Sequence, residues 1–314
     1  MSKSTPESAS EPVPESPDPS SYRELLRRFL DEDLGASDIT TNTIVPAERR
    51  ARGQLIAKAP LVLAGIEPFL AVFRLLEPSA VAVIARHDGE ELRPGESPVE
   101  VRASARTLLT GERVALNLLQ RLSGIATLTR RFVREVAGTG AQILDTRKTT
   151  PGLRALEKYA VRVGGGRNHR KDLAEALLIK ENHIRMAGGV SAALRAAQPA
   201  QGRVAWTEIE VTNLDELREA LVYRLDAQRP DAHSPDVILL DNMSPEQVHQ
   251  AVKQARLTKN TRLDLAHKIL LEASGGITLA NVREFAETGV DWISVGALTH
   301  SAPAVDLSFE IEPE

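Results

Sequence analysis

The chain has 314 residues, 42% of them apolar, with a formal net charge of −4 and a pI near 6.0. That leaves room for two ordinary domains or one barrel with an attachment, and the absence of a global basic field argues against a nucleic-acid partner. Cysteine is absent, which excludes disulfides and thiolate metal sites. Neither a run near the roughly 18–20 apolar residues of a membrane span nor the apolar core of a signal peptide is seen, so a cytoplasmic protein is expected.

Residues 1–20 are almost wholly Ser, Pro, Glu, Thr and Ala. They read as a disordered tail, because such a composition cannot bury enough apolar surface to offset ordering entropy. Tyr22, Leu25, Leu26, Phe29 and Leu30 recur at helical spacing and predict a helix over 21–31, followed by a loop over 33–41. The short runs GQLIAKA, LVLAGI, VAVIARH and VEVRASA follow, parted by Asp88-Gly89 and Pro94-Gly95 turns and a helix near 68–76. They predict a small antiparallel sheet with helices. A long helix over 111–136 carries Val114, Leu118, Leu122, Ile125, Leu128 and Phe132 on one stripe, with Thr110 as its N-cap and the domain change along its length.

After this helix the pattern becomes strand then helix, repeated. Apolar strands are predicted at 142–144, 177–179, 207–211, 237–240, 269–272 and 292–295, with a further one near 160–163. Their spacing, mostly roughly 25–35 residues, is that of βα units and fits a closed or nearly closed parallel β/α barrel. A doubly wound open sheet is the competitor. The barrel is preferred because polar residues follow almost every strand: Arg147 and Lys148, His169 and Arg170, Lys180, Glu210, Asp241, Ser274 to Gly276, and Gly296. Barrel enzymes carry their catalytic groups on that face.

The residue types point to a small, multiply charged anion. Arginine offers a planar fork and lysine a compact charge for carboxylate or phosphate. Taken alone, TRKTTPG reads as a solvated turn and GGGRNHR as a surface loop, while His183 and His300 read as satisfied core or rim histidines. Lys180, directly after ALLI, is carried into a barrel mouth by its strand. Glu210 and Asp241 would be costly there unless they met a cation, a metal or a ligand hydroxyl. The turns ASGGI and SVGALTHS follow the last two strands, where barrels hold phosphate on backbone N–H groups. A ligand with phosphate at one end, a sugar or metal in the middle and carboxylates at the other suits this mouth.

The motifs DTRKTTPGLRALEKYAVRVGGGRNHR, LLIKENHI, ILLDNMSPE, LEASGGI and ISVGALTHS, with DITT and ERVALNLLQRLSGIAT before them, resemble quinolinate phosphoribosyltransferase. The resemblance runs from about Tyr22 to Leu307. It implies an N-terminal α/β sandwich over 21–120, an incomplete β/α barrel over 121–300, and a segment over 301–314 packing back on the first domain. It also implies a homodimer, or a higher assembly, with shared active sites, and a requirement for Mg²⁺. The implied reaction joins quinolinate to phosphoribosyl pyrophosphate, giving nicotinate mononucleotide, carbon dioxide and pyrophosphate. Carried over, the quinolinate site is Arg113, Arg147, Lys148, His169, Arg170 and Lys180. The ribose and Mg-pyrophosphate carboxylates are Glu210 and Asp241, touching the metal indirectly, and the phosphate loops are Ser274, Gly275, Gly276 and Gly296. Lys148, Lys180, Glu210 and Asp241 are the catalytic candidates.

The stretches 223–236 and 254–267 look longer than the family's pattern. Three other readings stand beside this one: a phosphoribosyltransferase using nicotinate or another small acid, a Schiff-base aldolase-type barrel using Lys180, and a non-catalytic ligand-binding barrel.

Overall fold

The computed structural model describes residues 14–200, 202–225, 235–258 and 269–314. Most of the tail and much of the two long stretches therefore lie outside the described residues. Two compact units divide the chain, one running to Ala126 and including Ala304–Glu314, the other spanning Thr127–Pro303. No helix among the described residues is long and apolar enough to cross a membrane.

Unit 1 opens with α1 (Arg23–Leu34) and α2 (Ile39–Ile44). The second lies where a loop is predicted, because the Asp38 carboxylate accepts the Thr41 N–H at 2.9 Å and caps a helical turn. Then come β1 (Arg50–Ala57), β2 (Leu61–Val62), α3 (Ile66–Leu76), β3 (Val81–Ile84), β4 (Glu91–Leu92) and β5 (Val99–Ser104). The long helix α4 (Ala105–Glu135) starts earlier than its apolar stripe predicts. Ser104 Oγ accepts the Thr107 N–H at 3.0 Å, while Thr110 sits inside the helix and donates to Asp38 Oδ2 at 3.1 Å. Far along the chain, β12 (Leu307–Pro313) returns to pair antiparallel with β1, giving the sheet order β12-β1-β5-β3.

Strand β1 alternates its burial, turning Ala51, Gly53, Leu55 and Ala57 inward. The core beside it is aromatic: the Phe309 ring stacks on Phe73 at 5.4 Å and meets Phe69 edge-on at 5.7 Å. Gly53 makes room for this, since a Cβ there would stand 2.1 Å from the Phe309 ring.

Unit 2 contributes β6 (Gln142–Leu144), α5 (Arg154–Val163), β7 (Leu177–Ile179), α6 (Glu181–Ala187), α7 (Val190–Ala197), β8 (Thr207–Val211) and α8 (Leu214–Leu225). It continues with β9 (Val237–Asp241), α9 (Pro245–Thr258), β10 (Leu270–Ser274), α10 (Val282–Glu287), β11 (Trp292–Ser294) and α11 (Ala297–His300). All pairings are parallel, in the order β6-β11-β10-β9-β8-β7, and β6 and β7 do not pair with each other among the described residues. This is an incomplete parallel β/α barrel. The strand predicted near 160–163 is instead the last turn of α5, because Leu156, Tyr159, Ala160 and Val163 lie at helical spacing and are all buried. Among the described residues, only an isolated bridge, Leu144 to Arg167, extends the β6 edge.

Candidate active site

The strands of unit 2 place side chains two residues apart on one face. Leu178 and Lys180, Leu239 and Asp241, and Glu272 and Ser274 thus turn into one cavity of about 610 Å³ at the C-terminal ends of the strands, where Glu210 of β8 and Ser294 of β11 join them. Arg147, Lys148, His169 and Arg170 enter it from the loops after β6 and α5. Gly275 and Gly276 close it beyond β10.

A buried frame holds these loops. The Asp145 carboxylate accepts from Lys158 Nζ at 2.5 Å, from Asn168 Nδ2 at 2.6 Å and from the His169 N–H at 2.8 Å. Lys158 also donates to the His169 carbonyl at 2.8 Å. Burial disfavours charge on both partners, raising the Asp145 carboxyl and lowering the Lys158 ammonium, while each opposes the other's shift. Glu157, fully buried, accepts the Thr150 N–H at 3.0 Å and its hydroxyl at 2.7 Å and so fixes TTPG.

Among the described residues, neither guanidinium gathered here, Arg147 or Arg170, forms an ion pair. Arg147 Nε is buried without a hydrogen-bond partner. Arg170 is buried, and its guanidinium spends Nη1 on the Ala176 carbonyl at 2.9 Å. Burial, and next the charge of Arg147, lower its pKa. Two guanidiniums that repel one another beside an open cavity form an anion site. Lys180 Nζ lies 3.6 Å from Glu210 Oε2. Burial raises the Glu210 pKa, Lys180 opposes this, and Asp241 adds to it. The two carboxylates therefore face the same cavity, with the Lys180 ammonium beside Glu210.

Gly275 has φ +98°, and a Cβ there would stand 2.1 Å from Asn242 Oδ1. Asn242 itself is left-handed at φ 54°, and its N–H donates to the Ser274 carbonyl at 2.9 Å. The β9 and β10 turns are thus interlocked, and only glycine fits. Gly296 is outside the cavity lining, but a Cβ on it would come within 3.2 Å of Lys148 Cδ, and Thr299 Oγ1 donates to the Lys148 carbonyl at 2.9 Å. Arg113 is exposed on α4 in unit 1 and does not line the cavity. His183 is a rim histidine whose Nδ1 accepts the Lys180 N–H at 2.9 Å, and His300 is exposed.

Sequence reasoning missed Thr146, Asn242, Glu272 and Ser294 on the cavity wall, and Glu208 beneath it. A signal for one was present: Glu208 and Glu210 alternate in TEIEV, so both point inward from one strand.

His169 is held on every side. Its Nε2 lies 2.9 Å from Glu208 Oε2 and 3.5 Å from Glu272 Oε2, and its Nδ1 accepts the Arg170 N–H at 2.8 Å. Burial disfavours a charged ring, while Glu208 and Glu272 favour one and draw its pKa upward. The Arg170 N–H works against this, since its bond requires a bare Nδ1, so the ring keeps its proton on Nε2 and a second would have to break that contact. Burial, then the charge of Glu208, push the Glu272 carboxyl up to about 7.

Residues 38–123 match the N-terminal domain, and residues 125–310 the C-terminal domain, of quinolinate phosphoribosyl transferase. The nicotinate-nucleotide pyrophosphorylase (carboxylating) of Mycobacterium leprae is 43% identical over 292 residues, covering 92% of this chain and 96% of that protein. A probable enzyme of the same name from Bacillus subtilis is 40% identical over 289 residues, covering 92% and 93%. The crystal structure of NadC from Streptococcus pyogenes superimposes with a TM-score of 0.85 at 37% identity, covering 96% of this chain and 100% of that one. With both domains matched in order and relatives of this closeness along nearly the whole length, the chain belongs to the quinolinate phosphoribosyltransferase family.

Proposed function

We infer that this chain is a decarboxylating phosphoribosyltransferase that joins quinolinate to phosphoribosyl pyrophosphate and releases nicotinate mononucleotide, carbon dioxide and pyrophosphate, a step of de novo NAD biosynthesis. The observation that carries the reading is the pair of guanidiniums, Arg147 and Arg170, with Lys148 and Lys180 beside them, lining one cavity with Glu210, Asp241 and the Gly275 turn. Quinolinate is a dianion. A pocket with this many cations would keep unpaired, desolvated charge if a monocarboxylate entered, which favours the dicarboxylate over nicotinate.

Glu210 and Asp241 stabilise the cationic, oxocarbenium-like sugar as the ring nitrogen attacks its anomeric carbon. When carbon dioxide departs, its bonding pair stays on the adjacent ring carbon, where the glycosylated nitrogen, now positive, stabilises it until a proton from water takes the vacated position. The protein's part in that step is to keep the ring fixed among Arg147, Arg170 and the two lysines. Mg²⁺ fits the donors present: two hard carboxylate oxygen sets face one space, and the Glu210 pKa is raised partly by Asp241. These two residues would hold the ion, and when bound it would neutralise the departing pyrophosphate.

The protein acts as a homodimer in the cytoplasm, with Arg113 of the partner subunit completing each site. Its exposure on α4 supports this, since among the described residues Arg113 forms no ion pair. The test is formation of nicotinate mononucleotide from quinolinate and phosphoribosyl pyrophosphate with Mg²⁺. Activity is expected to vanish in excess chelator, and kcat/KM for nicotinate is expected to fall far below that for quinolinate. Comparable values for the two acids would overturn the dicarboxylate assignment.

A further inference from the structure

Under the cavity, three ionisable side chains meet with almost no access to water: Glu208 and Glu272 are 0% exposed and His169 is 8% exposed. Glu208 Oε2 accepts from His169 Nε2 at 2.9 Å and from Trp206 Nε1 at 3.3 Å. The Trp206 ring stands edge-on to the imidazole with centroids 5.7 Å apart. Ser294 Oγ donates to Glu272 Oε1, which turns Glu272 Oε2 toward the imidazole at 3.5 Å. The ligand atoms of the trio lie close enough together to hold a metal ion, but a proton on Nε2 already spans the 2.9 Å gap to Glu208.

Stability alone does not explain such a cluster. Replacing buried ionic groups by apolar side chains of similar volume is often neutral or stabilising, so three of them retained beneath a ligand cavity point to a demand for geometry. Both nitrogens of His169 are committed to the protein, which leaves the ring none to offer a ligand. What it does offer is a rigid link. The carboxylates hold one edge, and the opposite edge receives the N–H of Arg170, whose guanidinium belongs to the anion site.

We propose that Glu208 and Glu272 are positioning residues that lock the His169 ring as a bracket and, through its Nδ1, fix Arg170 for the dicarboxylate. The inference rests on the quinolinate reading above. It assigns His169 a role through Arg170 in place of direct contact by a ring nitrogen.

Steady-state kinetics with each substrate varied in turn provides the test. Glu208→Met and Glu272→Met are expected to raise KM for quinolinate about 10–100-fold, the loss usual when an outer hydrogen-bond partner of a metal-bound imidazole is removed. KM for phosphoribosyl pyrophosphate should stay unchanged. Glu208→Gln, whose amide oxygen still accepts the Nε2 proton, should rescue most of the loss. His169→Phe, which keeps the ring and serves if either Met variant does not fold, should match Glu208→Met. Equal changes for both substrates, no change for either, a Gln variant as impaired as the Met variant, or a far larger effect of His169→Phe would each overturn the bracket. Wild-type protein that does not turn over quinolinate would instead overturn the functional reading, and the inference with it.

Discussion

Lys148 and Lys180 are both more than a third exposed before a ligand arrives, so water already stabilises their charge. Replacing either by Ala is expected to weaken quinolinate binding by about 2 kcal/mol, the low end for removing one partner of a charged contact. Calorimetric titration would read this, and an unchanged circular dichroism spectrum would separate it from unfolding. Glu77, in unit 1, makes the opposite case. Burial alone would raise its pKa, but the Ser104 N–H, Arg50, Thr107 and Ser79 bring it down to about 2. A carboxyl depressed in the folded state stabilises the fold above its ordinary range near 4.5 and loses that contribution as pH falls toward 2. Its side chain is 16% exposed, so Glu77→Gln should cost about 2–3 kcal/mol at pH 7, with the gap closing in acid. Urea melts of both proteins at several pH values would check it.

The interlocked turns after β9 and β10 make Gly275→Ala a sharp probe, because the added methyl would collide with Asn242 and the backbone there is left-handed. Turnover is expected to drop steeply while the melting temperature moves little, as a half-buried turn yields more easily than a core. In unit 1, Phe309→Ala should cost about 3–5 kcal/mol, the usual loss for a buried aromatic ring, measured as a shift in the denaturation midpoint. The elements that carry these residues were legible in unequal degree. Strands 142–144 and 177–179 were readable as short aliphatic runs that end in polar residues, and 207–211 as a strict alternation in TEIEV. The last turn of α5 was not, since Val161 and Val163 look like strand residues until the helical spacing from Leu156 is followed. Cations at strand ends could be found because charge beside an apolar run is conspicuous. Glu208 and Glu272 escaped because the ring that both face, His169, is distant in sequence and only the barrel brings it near.

For the whole molecule, the shared-site reading can be tested by complementation. Arg113→Ala and Lys148→Ala subunits, each nearly inactive alone, should regain activity on mixing, since a hybrid dimer holds one site with both lesions and one with neither. Confirmed subunit exchange without recovery would rule sharing out. One further consequence follows from β12. Its pairing partner β1 lies on the far side of unit 2 in the chain, with Ala51 opposite Pro313 and Leu55 opposite Phe309. The barrel is continuous, so its contacts close as soon as its own residues have left the ribosome. Unit 1 must instead wait, its aromatic core unsealed, until the chain has threaded through an entire second unit. A chain cut after residue 303 and released from the ribosome would therefore hold every barrel strand while the β1 edge that β12 covers stayed open and aggregation-prone.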